Sequence, residues 1–111
     1  MPTRMFLATL VALLSALSPV LVASPAEAAS LRTWKRLASC ESDKRWHINT
    51  GNGYYGGLQF SSSTWRAFGG GKFARNAHRA SRDEQIKVAE RVRRAQGWGA
   101  WPSCSQQLGL G

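Results

Sequence analysis

The chain has 111 residues, of which 43% are hydrophobic and 19% are charged, and its formal net charge is +9. This length suits one small domain with a modest core and leaves no room for a second domain of ordinary size. So large an excess of lysine and arginine excludes an acidic surface and predicts contact with polyanions.

The first 28 residues predict a secretory signal peptide. Arg4 supplies a positive start, residues 6–23 are apolar and small, and Ala26-Glu27-Ala28 matches an A-x-A cleavage pattern. We expect cleavage after Ala28 or Ala29, which leaves residues 30–111 as one exported domain. A membrane anchor is the alternative because the apolar run nearly reaches the length of a span, but a proline and two serines within it disfavour this.

Export narrows the range of polyanions that the basic domain can meet. Anionic polymers of a bacterial envelope fit better than nucleic acid, and after cleavage no membrane contact is expected. The alternative is that the charge only provides solubility.

A first helix is predicted from Ser30, a good N-cap, to about Cys40. At about 100° per residue, Glu41 falls in the middle of an apolar stripe. That stripe consists of Leu31, Trp34, Leu37 and Ala38. Burial and the negative end of the helix dipole both disfavour the charged carboxylate, so Glu41 is a candidate general acid. The alternative is a glutamate that turns to solvent where the helix frays.

The chain contains two cysteines, Cys40 and Cys104. In a small exported domain they predict one disulfide that closes a long loop. A zinc site that adds His47 and His78 is the alternative, but the spacing matches no common zinc pattern. We therefore expect no metal and no cofactor, and we interpret both histidines as surface residues.

The segment from residue 46 to residue 60 predicts a small hairpin or irregular β-like excursion with a turn at residues 50–53. Its paired tyrosines and glycines would let a flat ligand approach the backbone, or they form only a tight turn over the core. A short helix over residues 64–68 follows, capped by serines and stopped by residues 69–71. Residues 72–80 are basic and irregular.

The capping box of Ser81 and Glu84 predicts the most regular helix, from about residue 82 to residue 96, ended by Gly97. Its predicted apolar face contains Val88, Ala89, Val92 and Ala95, and its predicted wet face contains Asp83, Lys87, Glu90, Arg91 and Arg94. Gln96 lies on the apolar side, where it either lines a cleft or bonds a nearby carbonyl.

A loop at residues 97–102 ends in Pro102, which cannot continue the helix, and residues 105–111 carry little pattern. The Cys40–Cys104 bridge would bring this aromatic loop beside Glu41. Aromatic platforms with amide donors suit sugar rings. Glycoside cleavage normally needs two carboxylates, and a second one is not evident, so a single acid would need a nucleophile from the substrate or solvent.

Several strings in the chain resemble the catalytic domain of the resuscitation-promoting factors, which are secreted muralytic proteins of high-GC Gram-positive bacteria. They are Cys40-Glu41-Ser42, Trp46, residues 48–60, Thr64-Trp65, residues 96–102 and Cys104. The pattern of Glu41-Ser42 followed by Gly57-Leu58-Gln59 also resembles lytic transglycosylases and goose-type lysozymes. The resemblance spans nearly all of residues 30–111.

This resemblance implies a small, mainly helical α+β domain of lysozyme-like fold with a short β-like excursion and a Cys40–Cys104 bridge. It implies cleavage of the β-1,4 bond between N-acetylmuramic acid and N-acetylglucosamine in peptidoglycan, in wall remodelling during regrowth. Glu41 matches the catalytic acid of the family. Positions that match the saccharide groove are Tyr54, Gln59, Thr64, Gln96 and Trp101. A secreted, wall-associated monomer is expected.

The chain departs from the family pattern at residues 43–45, which are Asp-Lys-Arg in place of a Gly-Gly-Asn type stretch, and at residues 72–80, which are more basic than usual. These differences concern the rim of the cleft. The alternative function is a non-catalytic protein that binds or signals at the wall on the same fold. A basic peptide that acts on membranes is disfavoured because no exposed apolar face accompanies the charges.

Overall fold

The structure is a computed structural model that describes residues 27–111. All but the last two residues of the predicted signal peptide, and therefore its apolar run, lie outside the described residues. Within residues 27–111, no helix is long and apolar enough to cross a membrane.

The described residues form four α-helices and a two-stranded antiparallel sheet, which confirms the predicted mainly helical α+β class. In chain order the elements are α1 (Leu31–Ser42), β1 (Tyr54–Tyr55), β2 (Phe60–Ser61), α2 (Ser62–Ala67), α3 (Arg82–Gln96) and α4 (Pro102–Gln107). Short 3-10 helices at Gly70–Lys72, Ala77–Arg79 and Trp98–Ala100 connect them.

Helix α1 begins where its cap predicts and continues two residues past the expected end. The Ser30 hydroxyl accepts a hydrogen bond from the Thr33 backbone N–H, and Asp43 ends the helix at φ 60°. The apolar stripe is shorter than predicted, because Leu31 remains 43% exposed while the stripe residues from Trp34 onward are buried. The first turn of α1 therefore lies outside the core.

The hairpin forms as predicted, with Tyr54 opposite Ser61 and Tyr55 opposite Phe60. An isolated bridge between Asn49 and Tyr55 extends the pairing by one more segment. The connection depends on glycine at residue 57, since a Cβ there would come within 2.4 Å of the Trp46 ring. The glycines thus serve close packing inside the hairpin.

Helix α3 has the predicted bounds and the complete capping box of Ser81 and Glu84. Its predicted faces need two corrections. Ala95 is exposed, and Glu90 is only 7% exposed and lies inside the protein. Glu90 is buried because residues 27–30 and the Trp34 side chain pack over this part of the helix, as its hydrogen bonds show.

The chain after residue 101 forms a helix that the sequence pattern did not indicate. Pro102 does not continue the preceding 3-10 helix. It starts α4, because proline is well suited to the first position of a helix. Cys104 on α4 forms the predicted disulfide with Cys40 on α1, with a Cα–Cα distance of 5.8 Å. The C-terminal helix is thereby held against α1.

The core is shared by α1, the hairpin, α2, α3 and the aromatic loop. Its largest fully buried side chains are Trp34, Trp65, Leu37, Leu58, Gln85, Val88 and Val92. Gln85 is the polar member of this set. Its Oε1 accepts from the Gly57 N–H at 2.9 Å, and its Nε2 donates to the Trp46 and Ala80 carbonyls at 2.7 and 3.1 Å.

We expect Gln85→Leu to destabilise the domain by roughly 3 kcal/mol, because it leaves one buried N–H and two carbonyl groups without their partner. Chemical denaturation measures this change. Gln106→Leu, on the exposed side of α4, is the matched control and should stay within about 0.5 kcal/mol of wild type. Equal stability of the two variants would contradict the role assigned to Gln85.

Candidate active site

An open groove crosses the protein between the hairpin and the aromatic loop. One part is lined by the five residues predicted for the saccharide groove, which are Tyr54, Gln59, Thr64, Gln96 and Trp101. The adjoining part is lined by Glu41 together with Tyr54, Gln59 and Trp101. The structure therefore brings all six predicted site residues to one groove, although they come from five separate segments of the chain.

Glu41 occupies the penultimate position of α1 and is half-buried. Burial raises the pKa of its carboxyl group above the ordinary range. None of the described residues donates a hydrogen bond to the Glu41 carboxylate or pairs with it, so no contact within residues 27–111 offsets the cost of burying its charge. Relative to an exposed glutamate, this environment shifts the Glu41 carboxyl group toward its protonated form.

The neighbouring Ser42 ties the end of α1 to the hairpin. Its buried hydroxyl lies 2.9 Å from the Gly57 carbonyl and 3.2 Å from the Ala38 carbonyl, and it accepts from the Arg45 N–H. These bonds hold the backbone on both sides of the groove in one arrangement. Ser42 therefore fixes the position of Glu41 relative to the hairpin.

Gln59 reaches the groove through a strained backbone. It has φ 54°, in the left-handed region that a non-glycine residue rarely adopts. Its side-chain Nε2 donates to the Gly56 carbonyl at 3.1 Å, which holds the side chain near its own turn. Such strain concentrates at binding and catalytic positions.

Aromatic rings form the two flanks of the groove. Tyr54 is 49% exposed on the hairpin side. On the other side, the Trp101 Nε1–H donates to the buried Leu58 carbonyl at 3.0 Å, and its ring packs edge-on against Trp34 at 5.4 Å. Trp101 is therefore a fixed wall, whereas Tyr54 presents a free ring to solvent.

The chain has six acidic residues, and all of them fall within the described part. Of these, only Glu41 lines the groove. Glu27 is exposed before α1 and Asp43 is exposed after it, Asp83 and Glu84 lie at the start of α3, and Glu90 is buried elsewhere. No group of histidine, cysteine or acidic side chains within residues 27–111 is arranged to hold a metal ion.

The histidines lie outside the groove, but His78 is not the simple surface residue that the sequence suggested. Its ring stacks on Tyr55 at 5.1 Å, and its Nδ1 is buried without a partner among the described residues. Burial lowers the pKa of His78, and the neighbouring Arg79 and His47 lower it further. His47 is exposed, and its Nδ1 lies 2.8 Å from the His78 carbonyl.

Sequence reasoning missed several groove residues. They are Phe60, Ser61, Val92, Ala100, Pro102 and Ser103. Three of them fall in strings that carry the family resemblance, which was the available indication. Val92 was assigned to the core by its helical position, and it borders the groove from beneath.

The family model of the transglycosylase-like domain matches residues 28–104 of the chain. The chain is 60% identical over 90 residues to resuscitation-promoting factor Rpf1 of Corynebacterium glutamicum, with 81% of this chain and 47% of that protein covered. It is 59% identical over 87 residues to Rpf of Micrococcus luteus, with 78% and 38% covered. It is 53% identical over 89 residues to RpfE of Mycobacterium tuberculosis, with 80% and 50% covered. The chain thus spans half or less of the length of these relatives.

Proposed function

Because the chain belongs to the transglycosylase-like domain family, to which it is joined by 53–60% identity with resuscitation-promoting factors, we propose that it is a secreted enzyme that cleaves peptidoglycan. The bond is the β-1,4 linkage between N-acetylmuramic acid and N-acetylglucosamine, and the biological role is wall remodelling during regrowth. The observation that carries the proposal is Glu41, a half-buried carboxyl with a raised pKa inside a groove that holds no other acid.

Glu41 acts first as the general acid. Its carboxyl proton passes to the glycosidic oxygen as the bond to the anomeric carbon breaks, and the leaving sugar departs with a free hydroxyl. The resulting carboxylate then accepts a proton from the attacking hydroxyl. Burial serves the first half of this cycle, because a raised pKa increases the fraction of Glu41 that carries the proton at a given pH.

The groove residues orient the glycan. Tyr54 offers an exposed ring face to the C–H faces of sugar rings, and the Gln59 and Gln96 amides and the Thr64 hydroxyl can bond hydroxyl and N-acetyl groups. Trp101 is only 5% exposed and is fixed by its bond to the Leu58 carbonyl, so it serves as a rigid wall of the groove.

The attacking group comes from outside the protein. Since the groove contains no second carboxylate, it is either water or the 6-hydroxyl of the muramyl sugar, and the latter leaves a 1,6-anhydro end. Incubation with purified peptidoglycan followed by muropeptide mass spectrometry tests the proposal. Released disaccharide products support cleavage, their masses differ by one water between the two routes, and no release overturns the enzymatic function.

The second candidate is a non-catalytic protein that binds or signals at the wall with the same groove. The exposed Tyr54 ring favours binding of glycan, but binding alone gives no reason for an acid without a partner inside the groove. Wall retention without product release would support this candidate.

The basic surface suits retention on anionic wall polymers. The described residues form two ion pairs, Arg82–Asp83 and Arg93–Glu90, so most lysines and arginines carry uncompensated charge. Ten of them are exposed, namely Arg32, Arg36, Lys44, Arg45, Arg66, Lys72, Arg75, Arg79, Lys87 and Arg94.

We expect binding to wall fragments that carry anionic polymers to be lost between about 0.15 and 1 M salt, where the Debye length falls from about 8 to 3 Å. A pelleting assay measures the bound fraction. The double variant Arg32→Gln/Arg36→Gln should release at lower salt than wild type, and walls stripped of anionic polymer are the control. Retention that does not change with salt would contradict the electrostatic role.

A further inference from the structure

Glu90 is a buried carboxylate that the groove does not use. It lies on α3 and is 7% exposed. Its Oε1 pairs with Arg93, at 3.0 Å from Nη2 and 3.1 Å from Nε. Its Oε2 accepts two hydrogen bonds, from the Trp34 indole N–H at 2.8 Å and from the Ala29 backbone N–H at 2.7 Å.

The hydrogen bond between Ala29 and Glu90 joins two distant parts of the chain. A buried carboxylate holds a single backbone N–H that is 61 positions away in sequence and lies directly before the N-cap of α1. The bond between Ala28 and Ala29 is the one that follows the A-x-A pattern of Ala26-Glu27-Ala28. The Ala29 nitrogen that donates to Glu90 is therefore the nitrogen that this cleavage would convert into a free amine.

We propose that Glu90 is the receptor for the α-amino group of the mature N-terminus at Ala29. Hydrolysis of the Ala28–Ala29 peptide bond by a signal peptidase consumes one water, leaves a carboxylate on Ala28 and an amine on Ala29, and the amine takes up a proton. At the observed position, the new ammonium replaces a neutral donor with a charged one against the same oxygen, which strengthens the bond.

The helix dipole also favours a folded domain that starts at Ala29 over one that starts at Ser30. An ammonium at Ser30, the product of cleavage one residue later, would lie on the N-cap of α1, whose positive end disfavours it. No acidic residue in the first turn of α1 offsets that charge. An ammonium at Ala29 has Glu90 as its counter-ion.

The contact between Ala29 and Glu90 is connected to the groove through one oxygen atom, Oε2 of Glu90. The oxygen that receives Ala29 also holds Trp34, and Trp34 packs against Trp98 at 5.0 Å and against Trp101 at 5.4 Å. Trp101 is the fixed wall of the groove. Glu90 thus positions both the mature N-terminus and the aromatic cluster behind the site.

Other charges face the same position. They are Arg93 beside Glu90 and, around the adjoining hollow, Asp83, Lys87 and Arg94. Asp83, Lys87 and Arg94 are exposed and screened by solvent. Arg93 is largely buried, pairs with Oε1 of Glu90 and donates to the Glu27 carbonyl at 2.8 Å, so its positive charge opposes the amine. The direct contact with Oε2 of Glu90 is the attraction on which the proposal depends. We expect the contact with Oε2 to raise the pKa of the α-amino group above its ordinary value. The stabilisation is present while the amine is protonated and is lost as pH rises through that raised pKa.

Three measurements test this proposal, which depends on the proposed export. First, the full chain is expressed in an exporting actinobacterial host, and intact mass and N-terminal sequencing identify the first residue. Ala29 is expected. A protein that starts at Ser30, or an uncleaved chain, would overturn the proposal whatever its activity on peptidoglycan.

Second, protein that starts at Ala29 is compared with its Nα-acetylated form, which keeps the N–H but loses the charge. The free amine should raise Tm by about 4 °C or more at pH 7, and Glu90→Gln should abolish this difference. Asp83→Asn, an exposed carboxylate near the same hollow, is the matched control and should preserve it. An equal gap in Glu90→Gln, or no gap in wild type, overturns the pairing.

Glu90→Gln also removes the partner of Arg93 and can lower stability by itself. The wild-type protein then provides an independent test. The α-amino group is labelled by ¹³C reductive methylation, and its titration is followed by NMR. A pKa above the ordinary range of an α-amino group supports the proposal, and an ordinary or lowered pKa overturns it.

Discussion

Glu41→Gln is expected to reduce release of peptidoglycan fragments by about 10²–10⁴-fold, the contribution of a positioned general acid. The glutamine keeps the size and hydrogen-bonding shape of the side chain but has no proton to give to the glycosidic oxygen. Initial rates from purified peptidoglycan, measured by muropeptide mass spectrometry, report the change. The groove itself should remain, because no described residue is bonded to the Glu41 carboxyl group.

Asp43→Asn is the matched control. Asp43 is the next acid in the chain, is exposed and adopts φ 60°, a conformation that asparagine accepts readily. The activity of the Asp43→Asn variant should remain within about twofold of wild type, because the change lies on the surface away from the groove. Equal rates of release by Glu41→Gln and wild type would remove Glu41 from the mechanism and favour the non-catalytic candidate.

Stability gives a second control on Glu41→Gln. A carboxyl whose folded-state pKa is raised binds protons more tightly in the native state, so the native state loses stability as pH rises from the ordinary to the raised pKa. Glu41→Gln should therefore be at least as stable as wild type at pH 7. The difference should shrink as pH falls toward the ordinary carboxyl pKa. An inactive variant that is also unstable at pH 7 would point to a structural role.

Removal of the disulfide is expected to have the largest effect on stability. Cys40 and Cys104 are separated by 64 positions, and closure of a loop of that size contributes roughly 4 kcal/mol in the chain-entropy model. For a domain of this size the loss corresponds to a decrease in Tm of about 15 °C or more. The variant Cys40→Ala/Cys104→Ala, followed by thermal unfolding, measures it.

The effect of Glu41→Gln on activity and the effect of the double cysteine variant on stability should be separable. At a temperature where the double cysteine variant is still folded, it should keep more activity than Glu41→Gln, because the Trp101 wall is also held by its bond to the Leu58 carbonyl. Ser103→Ala, at an exposed position next to Cys104, is the control and should melt within about 3 °C of wild type. A double variant that melts with wild type would show that noncovalent packing alone holds α4 on α1.

Local features of this protein were predictable from sequence because their causes are local. Ser30 and Ser81 cap α1 and α3 through bonds to residues three positions away, and such bonds depend on side-chain type and spacing. The place of Glu41 in the apolar stripe follows from helical periodicity, and burial does raise its pKa. The pairing of two cysteines needed only their number and the expectation of export.

Positions that depend on what packs over a helix were not predictable. Periodicity put Glu90 on the wet face, but the Ala29 N–H and the Trp34 indole approach from another segment and bury it. Gln85 is a polar residue on the apolar side of α3, and its amide bonds the hairpin to that helix. In both cases the partner lies tens of residues away, so no local pattern encodes it.

The sequence by itself determined the candidate acid, the helix caps, the cysteine pair and the family. The tertiary structure decided that six groove residues from five segments meet, that Glu41 has no acidic neighbour there, and that Glu90 faces the start of the domain. The physical reason is the range of the interactions. Caps and amphipathic faces arise within one or two helical turns, whereas a groove and a buried carboxylate exist only when distant segments pack together.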